Sequence, residues 1–129
     1  MNTALAIITD KDKVLVGKLK LEKIKEYGDI EYVFPSAQTN DNLQETLIQE
    51  VKMQSNLDIE IVDKIGERIH PITNNLTEYY FCKKTSEQEV NVSKDADLEK
   101  LLWVTPQEIL DYMPSLFDKV KEYLQTKVR

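Results

Sequence analysis

The stretch FPSAQTNDNLQETLIQEVKMQSN, residues 34–56, carries the clearest element boundaries in the chain. Apolar side chains recur in it at helical spacing and predict an amphipathic helix over residues 42–55: Leu43, Leu47, Ile48 and Val51. Either Asp41 or Asn42 can cap the start of this helix. Asn56 is suited to the left-handed residue that follows the last turn.

Short apolar segments on both sides of this helix predict strands. They fall at residues 3–9, 14–19, 31–34, 59–62, 64–70, 76–83 and 101–104. A polar turn at 10–13 joins the first two strands as a hairpin, and polar stretches at 20–30, 36–40 and 85–95 are interpreted as loops. Thr105 and Pro106 start a helix that Pro114 ends, and Ser115 caps a last helix. This order predicts one α+β domain over residues 1–129.

The composition excludes several classes of protein. The 129 residues are 41% hydrophobic and 31% charged, which is typical of a globular domain. No apolar run could cross a membrane, and the N-terminus lacks the pattern of a secretory signal. A net charge of −6 argues against binding of duplex nucleic acid, and three glycines leave no glycine-rich phosphate loop. The single cysteine, Cys82, excludes an intrachain disulfide and favours a cytoplasmic protein.

Three motifs resemble those of the Nudix hydrolases. Residues 34–37 (FPSA), the polar loop and the helix ending at Asn56 resemble the family's Phe-Pro-Gly-Gly, loop and helix. RIHPIT at 68–73 with YYFC at 79–82 is similar to a segment of some nucleotide-cleaving members, and LLWVTPQE at 101–108 resembles the family's strand-to-helix close. The resemblance implies a Nudix-fold α/β/α sandwich with a mixed sheet and flanking helices. It also implies hydrolysis of a nucleoside diphosphate-linked compound, assisted by Mg²⁺ or Mn²⁺.

The helix departs from the family's metal-binding pattern. Glu50 keeps the first glutamate, whereas Met53 and Gln54 stand where the family has a glutamate pair. Ser36 and Ala37 replace its two glycines. A thioether does not bind Mg²⁺, and an amide brings no charge. The box resembles a degenerate Nudix box, so we expect binding of Mg²⁺ or Mn²⁺ to be weak or lost.

Three acidic residues are candidates for a remaining metal site. Glu50 is a candidate metal ligand and catalytic base, and Asp97 and Glu99 precede Trp103 where many family members place another acidic ligand. The alternatives stay open: Glu50 pairs with a lysine on the helix surface, and Asp97 and Glu99 belong to a solvated loop.

Basic and aromatic residues are candidates for contact with a ligand. Arg68 and Lys18 are predicted to contact phosphates, although a solvated basic face is an equal alternative. Tyr80 is predicted to stack on a base, although Tyr79 and Tyr80 point to opposite faces of their strand and either one can belong to the core. His70, the one histidine, is a general acid or base, or a residue that orders the turn before Pro71.

Two functions follow as hypotheses. The first is a domain that binds a small phosphorylated, nucleotide-like ligand and has lost or weakened hydrolysis. The second is an atypical metal-dependent hydrolase that uses Glu50 with Asp97 or Glu99. The resemblance also implies a homodimer as one assembly. Neither hypothesis involves duplex nucleic acid or a membrane.

Overall fold

The computed structural model describes residues 2–26, 31–71, 74–85, 87, 89–92, 97–113 and 116–127. The strands of these residues are β1 (Asn2–Asp10), β2 (Lys13–Leu19), β3 (Tyr32–Val33), β4 (Ser36–Thr39), β5 (Ile59–Ile69), β6 (Leu76–Lys84) and β7 (Leu98–Val104). The helices are α1 (Leu21–Glu26), α2 (Leu43–Ser55), α3 (Pro106–Tyr112) and α4 (Asp118–Lys127). The strands form one sheet in the order β3-β2-β1-β6-β5, with β4 paired to β1 and β7 paired to β2.

The sheet is mixed and carries helices on both faces. Strands β1 and β6 run parallel, whereas β1 with β2 and β5 with β6 run antiparallel. In β1, Ala4, Ala6 and Ile8 pack in the core beneath α2, while Leu5 and Ile7 pack on the opposite side with α3 and α4. Successive side chains of a strand point to opposite faces, so one strand serves both cores. The predicted α/β/α sandwich with a mixed sheet is confirmed.

The hairpin of β1 and β2 opens into two diverging strands. The two strands pair next to their turn, where Lys11 and Asp12 adopt φ values of 50° and 57°, the left-handed conformation that a two-residue hairpin turn uses. Farther along, β2 pairs with β3 and β1 pairs with β4. Pro35 connects β3 to β4, and its carbonyl accepts the Ala6 N–H at 2.8 Å. The divergence of β1 from β2 leaves room for a cleft.

Both predicted ends of α2 are confirmed. The Asn42 side chain accepts the backbone N–H of Glu45 at 3.1 Å, which satisfies one of the free donors of the first turn. Asn56 has a φ of 65° and donates its backbone N–H to the Lys52 carbonyl at 3.0 Å.

Two segments predicted as loops are regular, so those predictions are wrong. Residues 21–26 form α1, a helix with no fully buried residue and therefore no apolar periodicity to reveal it. Ser36–Thr39 forms β4, because the edge of β1 beyond the hairpin needs partners for its backbone groups.

Two strands are longer than predicted. β5 is continuous over Ile59–Ile69 with irregular pairing to β6, and β7 begins at Leu98. The predicted helix end at Pro114 and the cap at Ser115 lie outside the described residues. No helix in the described parts of the chain is long and apolar enough to cross a membrane.

Candidate ligand-binding cleft

A cleft of about 890 Å³ opens where β1 and β2 diverge. Strands β1, β4 and β6 form its floor, and the end of β5 closes one side. Helix α2 and the start of β7 form one wall, and the end of α3 with residues 116–117 forms the other. This volume is in the range of small-molecule sites.

Helix α2 presents Glu50 and Gln54 to the cleft, one helical turn apart. The Gln54 side-chain amide donates to the backbone carbonyl of Ser36 at 3.1 Å and so ties α2 to the first residue of β4. Met53 is 67% exposed and lies outside the cleft lining. Within α2, all of which is described, the cleft therefore receives one carboxylate and one neutral amide that already has an acceptor.

The described side chains near Glu50 offer few ligands for a divalent ion. Among the described residues, no three His, Cys, Asp or Glu side chains are grouped so that they could hold a metal. Mg²⁺ requires near-octahedral oxygen coordination, and a single carboxylate supplies little of it. The Ser36 carbonyl, a further oxygen at this wall, accepts the hydrogen bond from Gln54.

The two acidic residues predicted as further metal ligands are separated. Asp97 lines the cleft, and its Oδ1 lies 3.8 Å from Lys23 Nζ. Glu99 lies outside the lining, with Oε2 at 3.8 Å from Lys18 Nζ. Lys18 also lies 3.9 Å from Glu31 Oε1 and is itself outside the lining. Each of these half-exposed pairs contributes at most about 1 kcal/mol, but together they give the acidic residues cationic partners from the chain itself.

Four strands place side chains in direct register along the cleft floor. Gln38, Thr3, Thr77 and Arg68 are paired neighbours across β4, β1, β6 and β5, and all four line the cleft. Paired side chains share one face of the sheet at spacings of about 5 Å. Gln38 Nε2 donates to Thr3 Oγ1 at 3.4 Å, and the Thr77 hydroxyl donates to the Asn75 carbonyl at 3.1 Å. These four residues are called the polar row.

Aromatic rings hold Arg68 at the end of the polar row. Its Nε donates to the Tyr79 hydroxyl oxygen at 3.0 Å, and its guanidinium carbon lies 4.9 Å from the centre of the Phe117 ring. The Tyr79 and Phe117 rings are 4.9 Å apart. Burial raises the pKa of Tyr79, so its hydroxyl keeps its proton at neutral pH and can donate it.

His70 lines the cleft two residues beyond Arg68. Its backbone N–H donates to the Asn75 carbonyl, and its own carbonyl accepts from Asn74, which fits the predicted turn at this point. Burial lowers the pKa of His70, and the neighbouring Arg68 charge lowers it further. The imidazole is therefore neutral at neutral pH and offers one donor and one acceptor.

The opposite wall is aromatic and acidic. Tyr32 and Tyr112 meet edge to face with ring centres 4.7 Å apart, and Asp111 lies beside Tyr112 in the lining. No motif in the sequence marks these residues as a site. Their elements were predicted, but only the tertiary packing of α3 against β3 brings them together.

Tyr80 lies on the other face of the sheet from the cleft lining. It is 4% exposed in the core beneath α2, and its hydroxyl donates to Glu78 Oε1 at 3.0 Å. Its neighbour Tyr79 points into the cleft. Alternation along the strand separates the two tyrosines, but it does not indicate which face carries a cleft. Cys82 shares the Tyr80 face and is fully buried, as expected of a core residue.

Solved structures of Nudix hydrolases have this fold. A Nudix hydrolase from Nitrosomonas europaea matches with a TM-score of 0.73 and 18% identity, over 98% of this chain and 73% of that chain. A Nudix-family hydrolase from Clostridium perfringens matches with a TM-score of 0.67 and 15% identity, over 95% of each chain. An Ap4A hydrolase from C. elegans matches with a TM-score of 0.68 and 12% identity, over 96% of this chain and 93% of that chain.

The fold of this chain is therefore that of the Nudix hydrolases. The sequence fits no family model, and no curated protein matches it significantly. At these identities the likeness establishes the fold, and the function has to be argued from the residues of the cleft.

Proposed function

We propose that this chain binds a nucleotide-like or diphosphate-containing ligand in the cleft and that its hydrolytic activity is lost or weak. The hydrogen bond from Gln54 to the Ser36 carbonyl, 3.1 Å long, carries this proposal. It stabilises the wall of the cleft with a neutral donor at a position where a metal site would gain from a further anionic oxygen. Binding without a metal then depends on the other side chains of the cleft.

The lining supports a ligand that is part planar and part anionic. Aromatic rings at Tyr32 and Tyr112 provide surfaces for a planar group, and Arg68 provides a fixed cation. The Ap4A hydrolase that shares the fold makes diadenosine tetraphosphate a reasonable probe, next to ADP-ribose as a smaller diphosphate compound. We further propose that all 129 residues act as one domain in the cytoplasm, and that a homodimer is the assembly to test first.

A second candidate function rests on two carboxylates. Glu50 and Asp97 both line the cleft, which favours an atypical metal-dependent hydrolase over the loss of all chemistry. In that case Glu50 would accept a proton from the attacking water. The ion pair of Asp97 with Lys23 opposes this function, because Asp97 already has a cationic partner.

Binding and turnover, measured on the same protein, distinguish the two functions. We expect calorimetry to detect binding of ADP-ribose or Ap4A in EDTA. We also expect chromatography to detect no hydrolysis product after Mg²⁺ or Mn²⁺ is added. Glu50→Gln tests the cleft carboxylate, and Glu99→Gln is its matched control, because Glu99 lies outside the cleft lining. Metal-dependent product that disappears in Glu50→Gln and persists in Glu99→Gln would establish the hydrolase. Absence of binding by folded protein under all conditions would refute the binding function.

A further inference from the structure

The charged residues of the cleft lining are separated by sign. Among the described lining residues, the carboxylates come from the residue before β7, from α2, from α3 and from the residue before β3: Asp97, Glu50, Asp111 and Glu31. The cation among the described lining residues is Arg68, near the end of β5, and the neutral imidazole of His70 follows directly after this strand.

The sheet order separates Arg68 on β5 from Tyr32 on β3. Strand β5 lies at one end of the order β3-β2-β1-β6-β5 and β3 lies at the other. Four steps between neighbouring strands amount to about 19 Å. A phosphate group bound near Glu50 without a metal would face carboxylates, whereas one bound near Arg68 would face a cation.

The Arg68 end is also rich in hydrogen-bond donors. The Arg68 guanidinium keeps its charge at all ordinary pH values, and its Nε donates to the Tyr79 hydroxyl oxygen. The Tyr79 hydroxyl accepts that bond and keeps its own O–H to donate, and Thr3 likewise accepts from Gln38 and keeps its O–H. Charge-assisted bonds from arginine to phosphate oxygens are among the strong hydrogen bonds of proteins.

We propose that the phosphate groups of the ligand bind at the β5 end of the cleft, to Arg68 and the polar row, and that the planar group packs against the Tyr32–Tyr112 pair at the other end. This inference rests on the proposed binding function and assigns the orientation of its ligand. The phosphates of a ligand bound in this way have the Arg68 guanidinium, rather than a metal, as their cationic partner.

Titrations in EDTA with inorganic pyrophosphate, ADP and adenosine test the two ends of the cleft separately. We expect Arg68→Gln to weaken pyrophosphate and ADP binding by about 10- to 100-fold, the loss of a charge-assisted contact, and to leave adenosine within about 2-fold. Tyr112→Leu should do the reverse, weakening adenosine and ADP while leaving pyrophosphate unchanged. Glu99→Gln, outside the cleft lining, is the matched control and should leave the binding of all three probes unchanged.

Several results would overturn this orientation. The first is an Arg68→Gln protein that binds pyrophosphate as tightly as the wild type. The second is an Arg68→Gln protein whose binding of adenosine weakens as much as its binding of ADP. The third is a Glu50→Gln protein that binds ADP about 10-fold tighter than the wild type. Because Arg68 also packs on Phe117, Gln38→Ala on the polar row provides a second test at an exposed position, and it should weaken pyrophosphate alone. If the wild type binds none of the probes, the proposed function itself fails. If it binds them without these selective losses, only the orientation fails.

Discussion

Replacing Gln54 by glutamate tests the proposed substitute for a metal at the α2 wall. Gln54→Glu turns the donor of the 3.1 Å bond to the Ser36 carbonyl into an acceptor, so two oxygens with partial or full negative charge would face each other. The lost bond costs about 1 kcal/mol, and a carboxylate that stays half-buried beside the carbonyl brings the cost to about 2 kcal/mol. For a domain of this size, a loss of about 2 kcal/mol lowers Tm by roughly 8 °C.

A divalent ion should reverse this loss in the variant. The new carboxylate at position 54 would lie one helical turn from Glu50 and beside the Ser36 carbonyl, which together resemble an oxygen ligand set for Mg²⁺ or Mn²⁺. An ion present at about ten times its Kd adds about 1.4 kcal/mol of stability. We therefore expect either ion to raise the Tm of Gln54→Glu by roughly 5 °C relative to EDTA, and to leave the wild type unchanged.

Thermal unfolding followed by circular dichroism, in EDTA and in each metal, is the assay. Gln54→Ala is the first control, because it removes the bond without adding charge and should lose about 1 kcal/mol with no response to metal. Met53→Glu is the second control, because it adds a carboxylate at a position that is 67% exposed. The reasoning is refuted if Gln54→Ala is as stable as the wild type, or if metal stabilises the wild type as much as Gln54→Glu.

Three further predictions concern stability and reactivity. Asn56→Ala should lower the free energy of unfolding in urea by about 1 kcal/mol, because φ is 65° at this position, whereas Asn56→Gly should be close to neutral. Burial raises the pKa of Cys82 to about 12, so a thiol reagent at about pH 8 should leave it unmodified until the protein unfolds, and rapid labelling of the native protein would contradict this burial. Burial and then the Arg68 charge lower the pKa of His70, so the unfolded state binds its proton more readily. The contribution of His70 to the free energy of unfolding is therefore complete above about pH 6.5, and it is lost as the pH falls through the lower pKa of the folded state. Urea titrations at several pH values measure this dependence of the free energy on pH, and His70→Gln should reduce it.

The elements with strong local signals could be predicted from the sequence. Helix α2 follows from its apolar spacing and from asparagines at both ends, and the first hairpin follows from two apolar runs around a polar turn. Helix α1 has no buried residue and gave no such signal. Strand β4 is polar and is a strand because β1 needs a partner, a requirement of the assembled sheet rather than of residues 36–39.

The candidate site was less accessible to prediction, because its side chains come from distant segments. Glu50, Arg68 and Asp97 were singled out by residue type and do line one cleft. Tyr80 was preferred to Tyr79, since alternation defines two faces without indicating which one is open. The ion pairs of Lys18 with Glu99 and of Lys23 with Asp97 depend on how β7 packs beside β2 and α1, and no local pattern encodes them.

Those ion pairs affect the charge balance of the cleft. In a metal-dependent site, divalent cations offset the repulsion among neighbouring carboxylates. In this chain, Lys18 lies 3.9 Å from the cleft residue Glu31 and Lys23 lies 3.8 Å from the cleft residue Asp97, and each can offset part of that repulsion without an ion. Gln54 places a neutral amide at the wall, and its hydrogen bond to the Ser36 carbonyl holds this wall in place. These contacts stabilise the cleft wall with groups of the chain itself, which is the property that the proposed metal-independent binding requires.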